Sequence, residues 1–293
     1  MFEKILVISE LHYNFGHVLH CIRHLKKLGT QSCLLVQCLN PHELNDTVST
    51  FIIGVYKEHL ETQQQQLADL GLAVTTRQMI GIFRDNISQI ALEEQCSLVI
   101  VGAPERTILG SLLDGGAAYH MMHGTSVPLL LVRTPANPDA EQVETPDCLL
   151  TDHVLFPTDF SENADKAFAM VKEAAGSGVK KITLLHVQDK ARIDPHLLGQ
   201  LDTFNEKDRE RLSLLENELK SINNAVEVES RLLYGSPTSE ILRVIQEEQV
   251  SWVIMGSQGR GWIREIYLGN VSHNIARHAA VPVLLVPAAR GEE

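Results

Sequence analysis

A chain of 293 residues with 44% hydrophobic and 21% charged residues carries apolar material for two cores, which sets it apart from disordered and low-complexity chains. Its formal net charge of −12, with no run of Lys and Arg, excludes a polyanion-binding surface and so a nucleic-acid partner. A single phosphate group is another matter, because backbone N–H groups hold one without net positive charge.

In chain order, the first apolar runs read as strands at 5–9 and 32–38, with a helical stretch between them. On that helix His17, His20 and His24 share one face, and Cys21 lies one turn from His17. The spacing can hold a metal, but no acidic residue completes a four-ligand set; a polar helix face is the plainer reading. His120 and His123 repeat the pattern more weakly. Further strands are expected at 72–79, 98–102 and 128–132. Residues 134–151, with Pro135, Pro138 and Pro146 among polar neighbours, read as a linker. Beyond it, strands at 153–158, 181–187, 226–233, 252–256 and 282–286 alternate with helices at 162–175, 203–222, 237–249 and 271–278.

Strands that are apolar on both faces, each followed by a helix, indicate a parallel sheet covered on both sides. Right-handed crossovers make it doubly wound and Rossmann-like. The expected architecture is α/β: two tandem domains, 1–133 and 152–289, each with a five-stranded parallel sheet. An internal repeat supports it. At one constant, ungapped offset, Glu93, Glu94, Gln95, Ser97, Val99, Ile100 and Gly102 fall on Glu247, Glu248, Gln249, Ser251, Val253, Ile254 and Gly256. Gly115 falls on Gly269, and the closing Val127-Pro-Leu-Leu-Leu-Val132 on Val281-Pro-Val-Leu-Leu-Val286.

The five cysteines, Cys21, Cys33, Cys38, Cys96 and Cys148, are odd in number and lack C-x-x-C spacing. They read as reduced, mostly buried thiols of a cytoplasmic protein. A strand pattern follows Met1 directly, and no apolar run approaches the length of a membrane span. Neither a secretory signal nor a membrane partner is expected.

Ligands of doubly wound sheets lie beyond the carboxyl ends of the strands, where the strand order reverses. The loop after the strand at 252–256 places Gly256, Gly259 and Gly269 before a helix that opens with Asn270, Val271 and Ser272. Glycines let a ligand approach the backbone, and a helix start favours an anion. A Gly-rich connection with an ordinary cap has the same spacing, so both readings stand. The segment Pro157-Thr158-Asp159-Phe160-Ser161 follows the strand at 153–158; Asp159 and Ser161 can cap the next helix, or Asp159 can face a ligand.

The two segments together make the sequence resemble the universal stress protein family, in its tandem form, over nearly the whole chain. Nucleotide-binding members carry G-x2-G-x9-G-[S/T]; Gly256, Gly259 and Gly269 fill the glycine places and Asn270 replaces the hydroxyl residue. The resemblance implies that Thr158, Asp159 and Val187 border the adenine. Met255, Gly256, Gly259 and Gly269 would then shape the ribose and phosphate cradle, and Asn270, Val271 and Ser272 would present donors. Asn270, an amide in place of a hydroxyl, puts affinity and phosphate number in question. The first copy departs further. Glu105 stands at the second glycine place after Pro104, Gly115-Gly116 lacks an adjacent hydroxyl, and Glu10 replaces the Asp. A carboxylate there repels phosphate, so no nucleotide is expected in the first copy.

The resemblance implies a cytoplasmic stress-response protein that binds ATP, ADP or AMP, with or without Mg, in its second domain, as a sensor or adaptor toward an unknown protein partner. It also makes the strands at 128–132 and 282–286 the pairing contact of an intrachain pseudo-dimer or a homodimer. A nucleotide-free dimerisation scaffold and a slow ATPase are the alternatives. Catalysis has the least behind it. There is no G-x4-G-K-[ST] loop, no G-x-S-x-G elbow and no H-x-G-H signature, and Asp194, Glu206 and Asp208 read as a polar stretch and a solvated helix face.

Overall fold

A computed structural model describes residues 1–9, 15–39, 49–80, 84–104, 117–122, 125–134, 148–193, 201–258 and 268–288. The chain divides into two compact units, Met1–Asp147 and Cys148–Glu293. The first unit runs β1 (Lys4–Ser9), α1 (Phe15–Lys27), β2 (Ser32–Leu39), α2 (Ser49–Asp69), β3 (Ala73–Ile80), α3 (Arg84–Glu93), β4 (Leu98–Pro104), α4 (Ala117–Met122), β5 (Leu129–Thr134). Its strands lie in the order β3-β2-β1-β4-β5, with parallel pairing throughout.

The second unit repeats the plan with β6 (His153–Pro157), α5 (Glu162–Gly176), β7 (Lys181–Asp189), a short α6 (Lys190–Ile193), α7 (Leu201–Ile222), β8 (Glu227–Gly235), α8 (Pro237–Glu247), β9 (Trp252–Gly256), α9 (Asn270–His278) and β10 (Val283–Val286). Its order is β8-β7-β6-β9-β10, again all parallel. Each unit is therefore a doubly wound α/β layer with a five-stranded sheet. In both, the first strand sits between the second and the fourth, so the order reverses beside β1 and beside β6.

The inner strands form because both of their faces are apolar. Every residue of β6 and β9 is buried, and Ile5, Leu6, Val7 and Ile8 of β1 are fully so. Helices supply the cover through one stripe each: α8 buries Ile241, Val244 and Ile245, with Pro237 in its first turn. The duplication extends to backbone detail. Gln95 and Gln249, which follow α3 and α8, have φ of 54° and 49°. After them, Cys96 N–H donates to Ala91 O and Val250 N–H to Ile245 O.

Element positions depart little from expectation. The strand expected at 226–233 starts at Glu227 and continues to Gly235, and α6 was not anticipated. Thr134 closes β5 and Leu150 is fully buried, so both flanks of the expected linker are structured. Cys33, Cys38 and Cys96 are buried and stand outside any disulfide. Cys21 and Cys148 are not free, which corrects the expectation of five reduced cysteines. Among the described residues no helix is long and apolar enough to cross a membrane.

Candidate functional site

The reversal of strand order beside β6 puts the carboxyl ends of β6 and β9 next to each other, and each end leads into one half of the site. At the end of β6, Thr158 is buried and its N–H donates to Leu185 O at 2.9 Å, extending the β6–β7 ladder by one bond. Its Oγ1 accepts from Phe160 N–H at 3.0 Å. One oxygen of Asp159 accepts from Ser161 N–H at 3.1 Å, and Ser161 Oγ caps α5 by accepting from Ala164 N–H at 3.2 Å. Phe160 between them takes φ of 56°, the left-handed region that L residues seldom adopt. Asp159 thus has a local role in the turn, and the turn holds it at the carboxyl edge of the sheet. Val187, in β7, and Met255, in β9, are both buried.

At the end of β9 the glycine is needed for contact. A Cβ on Gly256 would lie 2.9 Å from Asn163 Nδ2 and 3.2 Å from Asn163 O. Asn163, buried in the first turn of α5, donates from Nδ2 to Gln258 O at 2.8 Å, and its Oδ1 is buried without a hydrogen-bond partner among the described residues. The chain then passes through 259–267, and Gly259 lies outside the described residues. It returns at Gly269, whose N–H donates to Ser257 O at 2.8 Å.

Helix α9 starts there, without a capping side chain and without an acidic residue in its first turn. Its first intrahelical bond runs from His273 N–H to Gly269 O, so the N–H groups of Asn270, Val271 and Ser272 lie ahead of the helical ladder. These donors and the helix dipole suit an anion. The side chains of the triplet do something else. Ser272 Oγ, buried, donates to Gly256 O at 2.8 Å and ties the helix start to the strand end. Asn270 Oδ1 accepts from Asn274 Nδ2 at 2.8 Å along the exposed face of α9. The hydroxyl expected to meet a phosphate is already engaged with the carbonyl at the end of β9. The helix start thus offers its backbone N–H groups, while the Ser272 hydroxyl is engaged at the strand end.

A second group of residues at this end of the sheet corrects the reading of Asp208 as part of a solvated helix face. Asp208 of α7 is only 14% exposed in its side chain; it accepts from Gln188 Nε2 at 2.8 Å and sits 3.5 Å from His186 Nε2. On the other side of the ring, His186 Nδ1 meets Thr158 O at 2.7 Å. Phe160 packs on His186, ring centroids 4.6 Å apart, and Arg211 lies over Phe160. The missed signal was helical spacing: Asp208 precedes the buried Leu212 by one turn and so shares its stripe. Glu206 is exposed as expected, and Asp194 lies outside the described residues.

In the first unit, Gly102 pairs with Val132 in the β4–β5 ladder. Glu10, Glu105, Gly115 and Gly116 lie outside the described residues. Of the histidine face on α1, His24 is buried and its ring lies 5.3 Å from that of His20. No group of three or more His, Cys, Asp or Glu suited to a metal occurs among the described residues.

This geometry has counterparts among known proteins. The model of the universal stress protein family matches residues 151–287, which contain both halves of the site. A universal stress protein of Methanocaldococcus jannaschii is 31% identical over 150 residues, spanning 45% of this chain and 93% of that protein. The chain belongs to the universal stress protein family. A second universal stress protein, from Bacillus subtilis, is 29% identical over 143 residues and 97% of its own length. The crystal structure of a universal stress protein from Archaeoglobus fulgidus aligns with a TM-score of 0.74 over 97% of this chain and 98% of its own, at 20% identity. That likeness carries the universal stress protein fold across both units.

Proposed function

We propose that the second unit binds an adenine nucleotide (ATP, ADP or AMP, with Mg²⁺ accompanying the polyphosphates) and that the protein is a cytoplasmic stress-response sensor or adaptor. The observation that carries this reading is the uncapped start of α9. It is moored to the end of β9 by the Ser272–Gly256 and Gly269–Ser257 bonds and stands at the reversal of strand order. Backbone N–H groups of residues 270–272 take the phosphates there, and the Asp159 turn at the adjacent strand end takes the base. The group fits the residues present: the helix start is free of acidic side chains, and Asn163 Nδ2 holds the Gln258 carbonyl just after β9.

Binding rather than turnover is the role these groups support. The titratable residues beside the reversal point, Asp159 and His186, are engaged with the backbone at Ser161 N–H and Thr158 O, which orients the turn. The test is calorimetric titration of the intact protein with ATP, ADP and AMP, beside an assay for phosphate release. Saturable heat at about one site per chain without release supports the sensor. Steady release of phosphate points to an ATPase. Absence of heat with all three leaves a nucleotide-free scaffold.

A further inference from the structure

We infer that His186 is a positioning residue for the base-side turn, fixing the Thr158–Asp159 peptide through a hydrogen bond from its Nδ1–H. The inference rests on the reading of this site as an adenine-nucleotide site, and it assigns the base half of the site a residue outside the glycine loop and the Asp turn. A carbonyl oxygen only accepts, so the 2.7 Å contact between His186 Nδ1 and Thr158 O requires the proton on Nδ1. The ring is 8% exposed and cannot exchange that partner for bulk water. Its orientation is set from the other side. Asp208 Oδ2 lies 3.5 Å from Nε2 and is itself held by Gln188 Nε2 at 2.8 Å, while Phe160 covers the ring face.

Among the described residues, further charged groups near the ring have partners of their own. Arg211 Nη1 lies 3.6 Å from Asp208 Oδ1, and its guanidinium lies 5.3 Å from the Phe160 ring centroid. Asp159 accepts from Ser161 N–H. Glu216, two turns along α7, accepts from Ser230 and Lys220.

The consequence follows from peptide geometry. In a planar trans peptide the C=O and the next N–H point in opposite directions. Holding Thr158 C=O onto His186 therefore directs Asp159 N–H away from the ring and fixes the Cα that carries the Asp159 carboxylate. A peptide free to flip would blur the donor–acceptor pattern presented to the base. His186 thus acts on the discrimination of adenine from guanine as well as on affinity.

The test compares wild type with His186→Asn and His186→Leu, each shown to be folded by its melting transition. Asn places an N–H donor the same number of bonds from Cα as Nδ1; Leu fills the space without a donor. Titration with ATP and GTP is expected to show Leu weakening ATP binding about tenfold, the scale of one buried hydrogen bond, and lowering the ATP over GTP preference. Asn is expected to stay within about threefold of wild type on both. Long-range ¹H–¹⁵N spectra of the nucleotide-free protein are expected to show His186 with a proton on Nδ1. Equal losses in Asn and Leu, no loss in either, or an Nε2–H-only tautomer overturn the positioning role. A wild type that binds no adenine nucleotide overturns the nucleotide reading and this inference together, and the Nδ1–H signal, which needs no ligand, tells that failure from the others.

Discussion

At Gly256 the space for one methyl group decides whether the two halves of the site stay joined. A Cβ there would meet Asn163 Nδ2 at 2.9 Å, and the neighbouring Asn163 backbone cannot retreat because it lies in the capped first turn of α5. Gly256→Ala is expected to lower unfolding stability by about 1–3 kcal/mol, as overpacking of a tight contact does, and to weaken ATP binding by releasing the Gln258 carbonyl. Urea unfolding and titration with ATP measure the two effects. A second prediction concerns His153. Its Nδ1 meets Glu248 O at 3.3 Å and its Nε2 meets Thr183 Oγ1 at 2.8 Å. Burial, and then the charge of Lys181, hold its pKa below the ordinary histidine value. Protonation therefore favours the unfolded chain. Stability is retained above the unfolded-state pKa, about 6.5, and is lost as pH falls through and below it. Wild type is expected to lose more stability than His153→Gln between pH 7.5 and 5.5, by urea unfolding at each pH.

Among the elements, α5 and α9 show how far the sequence could be read and where the reading stopped. Ser161 before Glu162 was legible as a cap, because a hydroxyl ahead of a helical pattern has one common use, and the bond to Ala164 N–H bears this out. Ser161→Ala is expected to cost about 0.5–2 kcal/mol, read from urea unfolding. Ser272 was not legible in the same way. Its hydroxyl is in the first turn of α9, where sequence spacing cannot distinguish an outward donor from one turned back to the preceding strand. The structure turns it back, onto Gly256 O. Ser272→Ala removes that buried hydrogen bond and is expected to lower stability by about 1–3 kcal/mol, with a loss of ATP affinity that follows the loosened helix start. Helix α7 gives a third case: its span was close to expectation, yet Asp208 was assigned to solvent. Helical spacing to the buried Leu212 places Asp208 on the inward stripe, but the partners it meets there, Gln188 and His186, come from β7 and are not carried by that spacing.

Across the whole molecule, the likeness of the two halves was the most legible feature, because similar folding units share their constraints. The left-handed Gln95 and Gln249, and the bonds from Val99 N–H to Pro128 O and Val253 N–H to Pro282 O, are the same solutions at equivalent positions of the two copies. Strand order was legible only as a class, from apolar runs alternating with helices; the placement of β6 between β7 and β9 depends on crossovers that composition does not encode. The copies differ where chemistry is concerned. The second keeps Gly259 in its loop, and the first has Glu105 at the matching position.

That difference sets the most direct measurement. The purified protein is denatured and any released nucleotide is quantified by mass spectrometry, with ATP titration of wild type and Gly259→Glu alongside. The account predicts about one adenine nucleotide bound per chain, lost in Gly259→Glu while the melting transition is kept. No bound nucleotide and no titration heat in the wild type, or binding unchanged in Gly259→Glu, would contradict it.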